Sequence, residues 1–96
     1  MFDMSEFEWD TRKAEANLRK HGVSFVEAAT VFFYLVSLTV PDPLHSHKED
    51  RFVITGLSNR NRHLVVVHSD RDGRIRIISA RLVTPSERKK YESALE

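Results

Sequence analysis

The stretch Arg74-Ile75-Arg76-Ile77-Ile78-Ser79-Ala80-Arg81 decides the fold. Its β-branched side chains lose χ1 freedom in a helix and pack well on a pleated surface, so it reads as a strand. Period two then sorts the side chains. Ile75, Ile77, Ser79 and Arg81 fall on one face; Arg74, Arg76, Ile78 and Ala80 fall on the other. Each face carries an apolar body and at least one guanidinium. An arginine in a packed sheet is costly unless a carboxylate or another anion meets it, so function is sought here. Parity also sets a puzzle. A regular strand cannot aim both Arg76 and Arg81 at one phosphate; a bulge, the strand's end, or a structural role for one of them must resolve it.

The neighbouring segments build a sheet around this strand. Residues 51–57 and 63–69 have strand character, and Ser58-Asn59-Arg60-Asn61-Arg62 and Asp70-Arg71-Asp72-Gly73 are rich in turn formers and short enough for hairpins. Residues 35–40 alternate as a strand, Pro41-Asp42-Pro43 ends it, and a polar loop occupies 44–50. Four consecutive strands so linked imply an antiparallel meander. Phe7-Glu8-Trp9 reads as a short edge strand or an anchoring arm.

Helix signals flank the sheet. Asp10 caps residues 11–21, where Gly22 supplies the left-handed stop after Arg19, Lys20 and His21. Helical spacing predicts an apolar stripe of Ala14 and Leu18 with Asn17 and His21 at its border, beside basic rows Arg12/Arg19 and Lys13/Lys20. Ser24 and Glu27 form a capping box opening a second helix over 25–33, apolar nearly all round and therefore buried. Thr84, Pro85 and Glu87 open a last helix, with Arg88, Tyr91 and Leu95 along one side. The reading is an α+β domain: two N-terminal helices and one C-terminal helix packed on one face of an antiparallel meander.

Ninety-six residues allow one modest core, so residues 1–96 are expected to form a single domain, with 1–6 an extension and Met4 an alternative start. The absence of cysteine excludes a disulfide frame and thiolate chemistry, and fits a reducing compartment. The acidic start lacks signal-peptide order, and no apolar run approaches a membrane span; a cytoplasmic protein without membrane contact is expected. The net charge of +1 hides an asymmetry: residues 1–50 sum to −4 and residues 51–90 to +7. A basic half suggests a polyanion-facing side; the plainer alternative is a solvated sheet surface.

Five histidines raise the question of a metal. His45 and His47 share a loop, whereas His63 and His68 sit five apart on one strand and face opposite ways, so no metal site or cofactor is expected. No phosphate loop or nucleophile elbow is present. What remains is a concentration of cations. Cleaving an RNA phosphodiester needs a base for the 2′-OH, cations on the non-bridging oxygens and an acid for the leaving oxygen. Arg76, Arg81 and Arg88 are candidates to hold phosphate, and His68, Glu87 and Tyr91 to move protons, with His21 also available. Lys13, Lys20, His21, Arg62 and Arg74 are candidates to bind RNA around them. Structural readings stand beside these: Arg76 or Arg81 as the ion-pair partner of Glu87 or Asp10, and Tyr91 as a helix-to-sheet anchor.

The blocks Glu8-Trp9-Asp10, Lys13-Ala14, Asn17, Lys20-His21-Gly22-Val23-Ser24-Phe25, Glu27-Ala28 and Arg76-Ile77-Ile78-Ser79-Ala80-Arg81 closely resemble the BrnT family of toxins. After Phe32-Phe33 the chain departs from that pattern, with Tyr34-Leu35 in place of an Asp-Pro pair. The resemblance implies a ribonuclease of a type II toxin–antitoxin pair with a RelE-like fold, cleaving RNA without metal and inhibiting translation. It also implies a BrnA-type DNA-binding antitoxin as partner, in a 2:2 heterotetramer that meets operator DNA through the antitoxin. Two alternatives remain. One is a non-catalytic nucleic-acid-binding or regulatory module using the same basic face. The other is a protein-interaction domain that docks an antitoxin helix on exposed parts of residues 25–40.

Overall fold

The computed structural model describes residues 3–42 and 50–96. His45, His47 and most of the loop expected at 44–50 lie outside the described residues. Met4–Glu6 form a 3-10 turn, followed by β1 (Phe7–Glu8), α1 (Thr11–His21) and α2 (Phe25–Thr30). Val31–Phe33 form a second 3-10 turn; then come β2 (Leu38–Pro41), β3 (Arg51–Leu57), β4 (His63–Arg71), β5 (Arg74–Leu82) and α3 (Pro85–Ala94). The helix expected over 25–33 therefore tightens at Val31, and the strand expected from 35 begins at Leu38. A bend at the departing Tyr34-Leu35 pair intervenes and leaves Leu35 98% exposed.

Strands β2 to β5 form the antiparallel meander, but the sheet is mixed. The order is β1-β5-β4-β3-β2, and β1 lies parallel to β5 with Phe7 opposite Ile75 and Glu8 opposite Arg76. Local alternation carries no information about this long-range pairing. Phe7 fixes it by burying its ring in the core against Phe32, 5.1 Å between centroids. The β4–β5 hairpin closes on Asp72 and Gly73, both at positive φ (52° and 77°), as a two-residue turn matching strand twist requires.

An extra residue in β5 resolves the parity puzzle. His68 pairs with Ile77 and Val67 with Ser79, which leaves Ile78 as a bulge. Beyond it the faces exchange. Ile75, Ile77 and Ala80 all reach the same core, with Leu64 and Val66 of β4, Ile54 of β3, and Phe25, Ala28 and Ala29 of α2. Arg76, Ser79 and Arg81, opposite Ser69, Val67 and Val65, consequently share the other face.

Asn17 secures the strand where β1 no longer covers it. Its side-chain N–H donates to the Ala80 carbonyl (2.8 Å) and the Val23 carbonyl (3.0 Å), and its oxygen accepts from the Ala80 N–H (3.1 Å). The amide thus replaces a neighbouring strand at one residue, satisfying backbone groups that burial would otherwise leave unpaired. This rotates α1 away from the expected stripe: Asn17 is buried, while Leu18 is 51% exposed. A polar residue wins the inward position because its bonds to a fixed backbone outweigh the transfer of one leucine.

The third helix does not join the other two. Tyr91 is buried outside the main core, its ring 6.1 Å from that of His63, whose neighbour Leu64 points into the core on the opposite side. The Tyr91 hydroxyl donates to the Val36 carbonyl (2.7 Å). Helices α1 and α2 therefore pack on one face, while α3 lies toward the other and is tied there by Tyr91 and Glu87, which corrects the expected single helical face. Tyr91 is the anchor.

His68 takes its place on the core face between Phe32, edge-on at 4.8 Å, and Phe52, stacked at 5.7 Å. It is 5% exposed, and neither ring nitrogen has a hydrogen-bond partner among the described residues. Burial pushes its pKa down to about 4, opposed in part by the charge of Asp70.

Two predictions test this architecture. Asn17→Ala removes three hydrogen bonds and orphans the edge of β5, so unfolding in urea is expected to show a loss of about 3 kcal/mol; a loss under about 1 kcal/mol would show that the clamp is dispensable. The unfolded His68 binds a proton that the folded one refuses between its ordinary pKa of 6.5 and about 4. Its stability contribution is complete above that window and falls with falling pH, by up to about 3 kcal/mol at the acid end. His68→Phe should flatten the acid limb of a stability–pH curve by that order, and an unchanged limb would refute the assignment.

Candidate functional site

Strand β5 positions a row of cations on the face away from α1 and α2. Arg76 is half-buried and donates to Glu8 Oε2 at 3.0 Å, while Arg74 donates to Glu8 Oε1 at 3.1 Å and to the Phe7 carbonyl at 3.3 Å. Glu8 thus meets two guanidiniums because parallel pairing sets it opposite Arg76. Asp10 is held below the usual carboxylate range, chiefly by the Lys13 backbone N–H at the helix cap, with the charge of Arg76 contributing.

Two pleats along, Arg81 grips Glu87 with both terminal nitrogens at 2.7 Å. The fork holds the Glu87 carboxyl down at about 2, assisted by the Thr84 backbone N–H in the capping box, and raises the Arg81 pKa. Glu87 stays ionised and is a weak base. Arg88 donates to Glu92 at 2.8 Å on the exposed side of α3. Burial raises the Tyr91 pKa, and its hydroxyl is committed to Val36.

The expected site residues therefore divide. Arg74, Arg76 and Arg81 share a face, joined at its end by Glu87 and Tyr91 of α3. His68 is separated from them by the thickness of the sheet, since the bulge that brings Arg81 to Arg76 leaves His68 beside Ile77 in the core. Of the two histidines on β4, His63 lies on the arginine face, one pleat beyond Val65, which pairs with Arg81. Neither Glu8 nor His63 stood among the expected site residues. The signal for Glu8 was its place next to the buried Phe7; for His63 it was opposite parity to His68.

Arg62 has a different task. It chelates both oxygens of the buried Glu27, with Nε at 2.9 Å from Oε2 and Nη2 close to Oε1, and donates to the Gly22 carbonyl at 2.9 Å. The Ser58 hydroxyl adds a bond to Glu27 at 2.7 Å, and the Arg62 guanidinium is the main reason the Glu27 pKa is lowered. This cluster ties the start of α2 to the β3–β4 turn. Lys13 and Lys20 are exposed. At 100° per residue they fall within about 60° of Asn17 on the flank away from Leu18, hence beside the β5 edge. His21 is half-buried on the other side of Asn17. Among the described residues no group of three or more His, Asp or Glu side chains is placed to hold a metal ion, and no helix is long and apolar enough to cross a membrane.

The architecture matches the crystal structure of the Brucella abortus ribonuclease toxin BrnT, with a TM-score of 0.65 at 22% identity, over 81% of this chain and 95% of that one. No curated protein matches in sequence. Residues 9–87 match the family described as "Ribonuclease toxin, BrnT, of type II toxin-antitoxin system". That span runs from Trp9 through α1, the Asn17 clamp and the arginines of β5 to Glu87, and on it the chain belongs to the BrnT family of ribonuclease toxins.

Proposed function

We propose that this toxin is an endoribonuclease that cleaves RNA without a metal across the arginine face of β5, and so inhibits translation. The observation that carries the reading is the Ile78 bulge, which sets Arg76 and Arg81 on one face. Their Cα atoms stand roughly 13 Å apart, four residues along β4. Lys13 and Lys20 border the same strand and extend the positive surface along a polyanion. Glu8 and Glu87 hold the guanidiniums in extended forks until phosphate oxygens compete for them. Arg76 and Arg81 then stabilise charge building on the non-bridging oxygens. His63 carries the proton transfers, because imidazole is the side chain suited to acid–base work near neutral pH and this one lies on the arginine face. Arg74 and Arg88 contribute binding.

Membership of a type II toxin–antitoxin family motivates the wider proposal: a RelE-like domain in the cytoplasm, neutralised by a BrnA-type DNA-binding antitoxin in a 2:2 assembly that reaches operator DNA through the antitoxin. Val26, Leu35 and Val36, all exposed in the segment 25–40, offer an apolar surface to an antitoxin helix. One observation favours the non-catalytic alternative. Arg74, Arg76, Arg81 and Arg88 are each paired with a carboxylate, as in a surface built to grip and release phosphates.

Antitoxin-free protein is expected to produce new ends in single-stranded RNA in the presence of a chelator. Arg76→Ala with Arg81→Ala should lower the rate by at least ~100-fold, as loss of transition-state charge stabilisation does. His63→Gln should lower it by ~100-fold or more with circular dichroism unchanged. Cleavage that stops on chelation, or variants as active as the parent, would reject the mechanism. Steeply salt-dependent binding with intact RNA would establish the binding module instead.

A further inference from the structure

On the face opposite the arginines, a cavity of about 490 Å³ opens beside the β4–β5 turn, within the size range of small-ligand sites. Phe32, Ile54 and Ile75 form its apolar walls; Ser37, Thr39, His68, Asp70 and Arg74 supply its polar groups. His68 is the unusual member. Both nitrogens of this buried imidazole are closed to solvent and lack a hydrogen-bond partner among the described residues, an unfavourable state for a core residue. Its ring is packed between Phe32 and Phe52. Arg74 connects this cavity to the phosphate side, lining it while its guanidinium joins Arg76 at Glu8.

We propose that this cavity receives a base of the RNA, whose phosphate Arg74 holds at the rim, and that Asp70 reads that base. The Phe32 ring with Ile54 and Ile75 suits the faces of a heterocycle, and Ser37, Thr39 and Asp70 supply polar groups for its edge. Asp70 selects among the bases because a carboxylate accepts hydrogen bonds and offers none. Guanine presents two adjacent N–H donors to such a group, uracil one imino N–H flanked by carbonyl oxygens. The cavity therefore favours guanine. This assignment rests on the ribonuclease reading for the source of the base, while binding itself requires no cleavage.

The test is a titration of the full chain with GMP, AMP, CMP, UMP and ribose 5-phosphate, followed by NMR. GMP is expected to move resonances of Phe32, His68 and Ile75 and to bind about tenfold more tightly than UMP, the worth of one charge-assisted hydrogen bond. Asp70→Asn, at an exposed position, should erase that preference. Ribose 5-phosphate as tight as GMP, equal affinity for the four nucleotides, or shifts confined to the arginine face would overturn the proposal. RNA cleavage with no nucleotide in the cavity defeats this inference alone; GMP in the cavity of a protein that cleaves nothing defeats the ribonuclease reading alone.

Discussion

Everything on β5 depends on one inserted residue and on the amide that fixes the strand beyond it. Ile78 adds a residue that β4 does not match, and two positions later Asn17 takes both backbone groups of Ala80. Without the insertion Ala80 would face away from the core and Arg81 would point into it, where an unpaired guanidinium is prohibitive. With it, the apolar residues before and after the bulge line one core and the arginines line one surface. The cost is a local break in the ladder and a twisted strand. It is contained because β1 covers the edge at Ile75 and Arg76, and Asn17 covers it at Ala80.

The charges on that surface obey the same demand for partners. On β5, Arg74 and Arg76 meet Glu8, brought by the parallel pairing of β1 from more than sixty residues away, and Arg81 meets Glu87, brought six residues on by the capping box of α3. Such pairs contribute little stability where they are open to water. Their effect is positional. A guanidinium held in a fork keeps a defined direction and loses less freedom when a phosphate replaces the carboxylate. The pair formed by Glu27 and Arg62 is different in kind, because its carboxylate is buried and removing either partner would strand a charge. Two chemically similar pairs thus serve opposite ends, exchange at the surface and permanence in the interior.

The caps and stops of the helices in this chain were legible in the sequence. Asp10, Ser24 and Thr84 cap the helices they announce, Gly22 ends α1 at φ 69°, and the strand from Arg51 to Leu57 has the bounds its composition predicts. What alternation could not supply was anything set by distant partners. The parallel seat of β1 depends on where Phe7 finds a core. The inward turn of Asn17 over Leu18 depends on a backbone edge 63 residues away. The two faces of the candidate site were assigned from a strict period of two, and a bulge without glycine leaves no mark in composition. The sequence therefore grouped His68 with Arg76 and Arg81, and the bulge sets it on the opposite face from them.

That exchange of histidines carries a physical consequence. His63 and His68 lie on one strand and differ in parity, and the sheet between them makes two unlike environments. His68 is held neutral by burial among Phe32 and Phe52, which unsuits it to deliver protons in a cycle. His63 is half-buried on the arginine face, its ring against Tyr91. A base-selective ribonuclease would need both services, charge with proton transfer at the phosphate and shape with hydrogen bonds at the base, and they conflict in one dielectric. A thin sheet separates them at little cost, and Arg74 at its end is the residue placed to touch both sides.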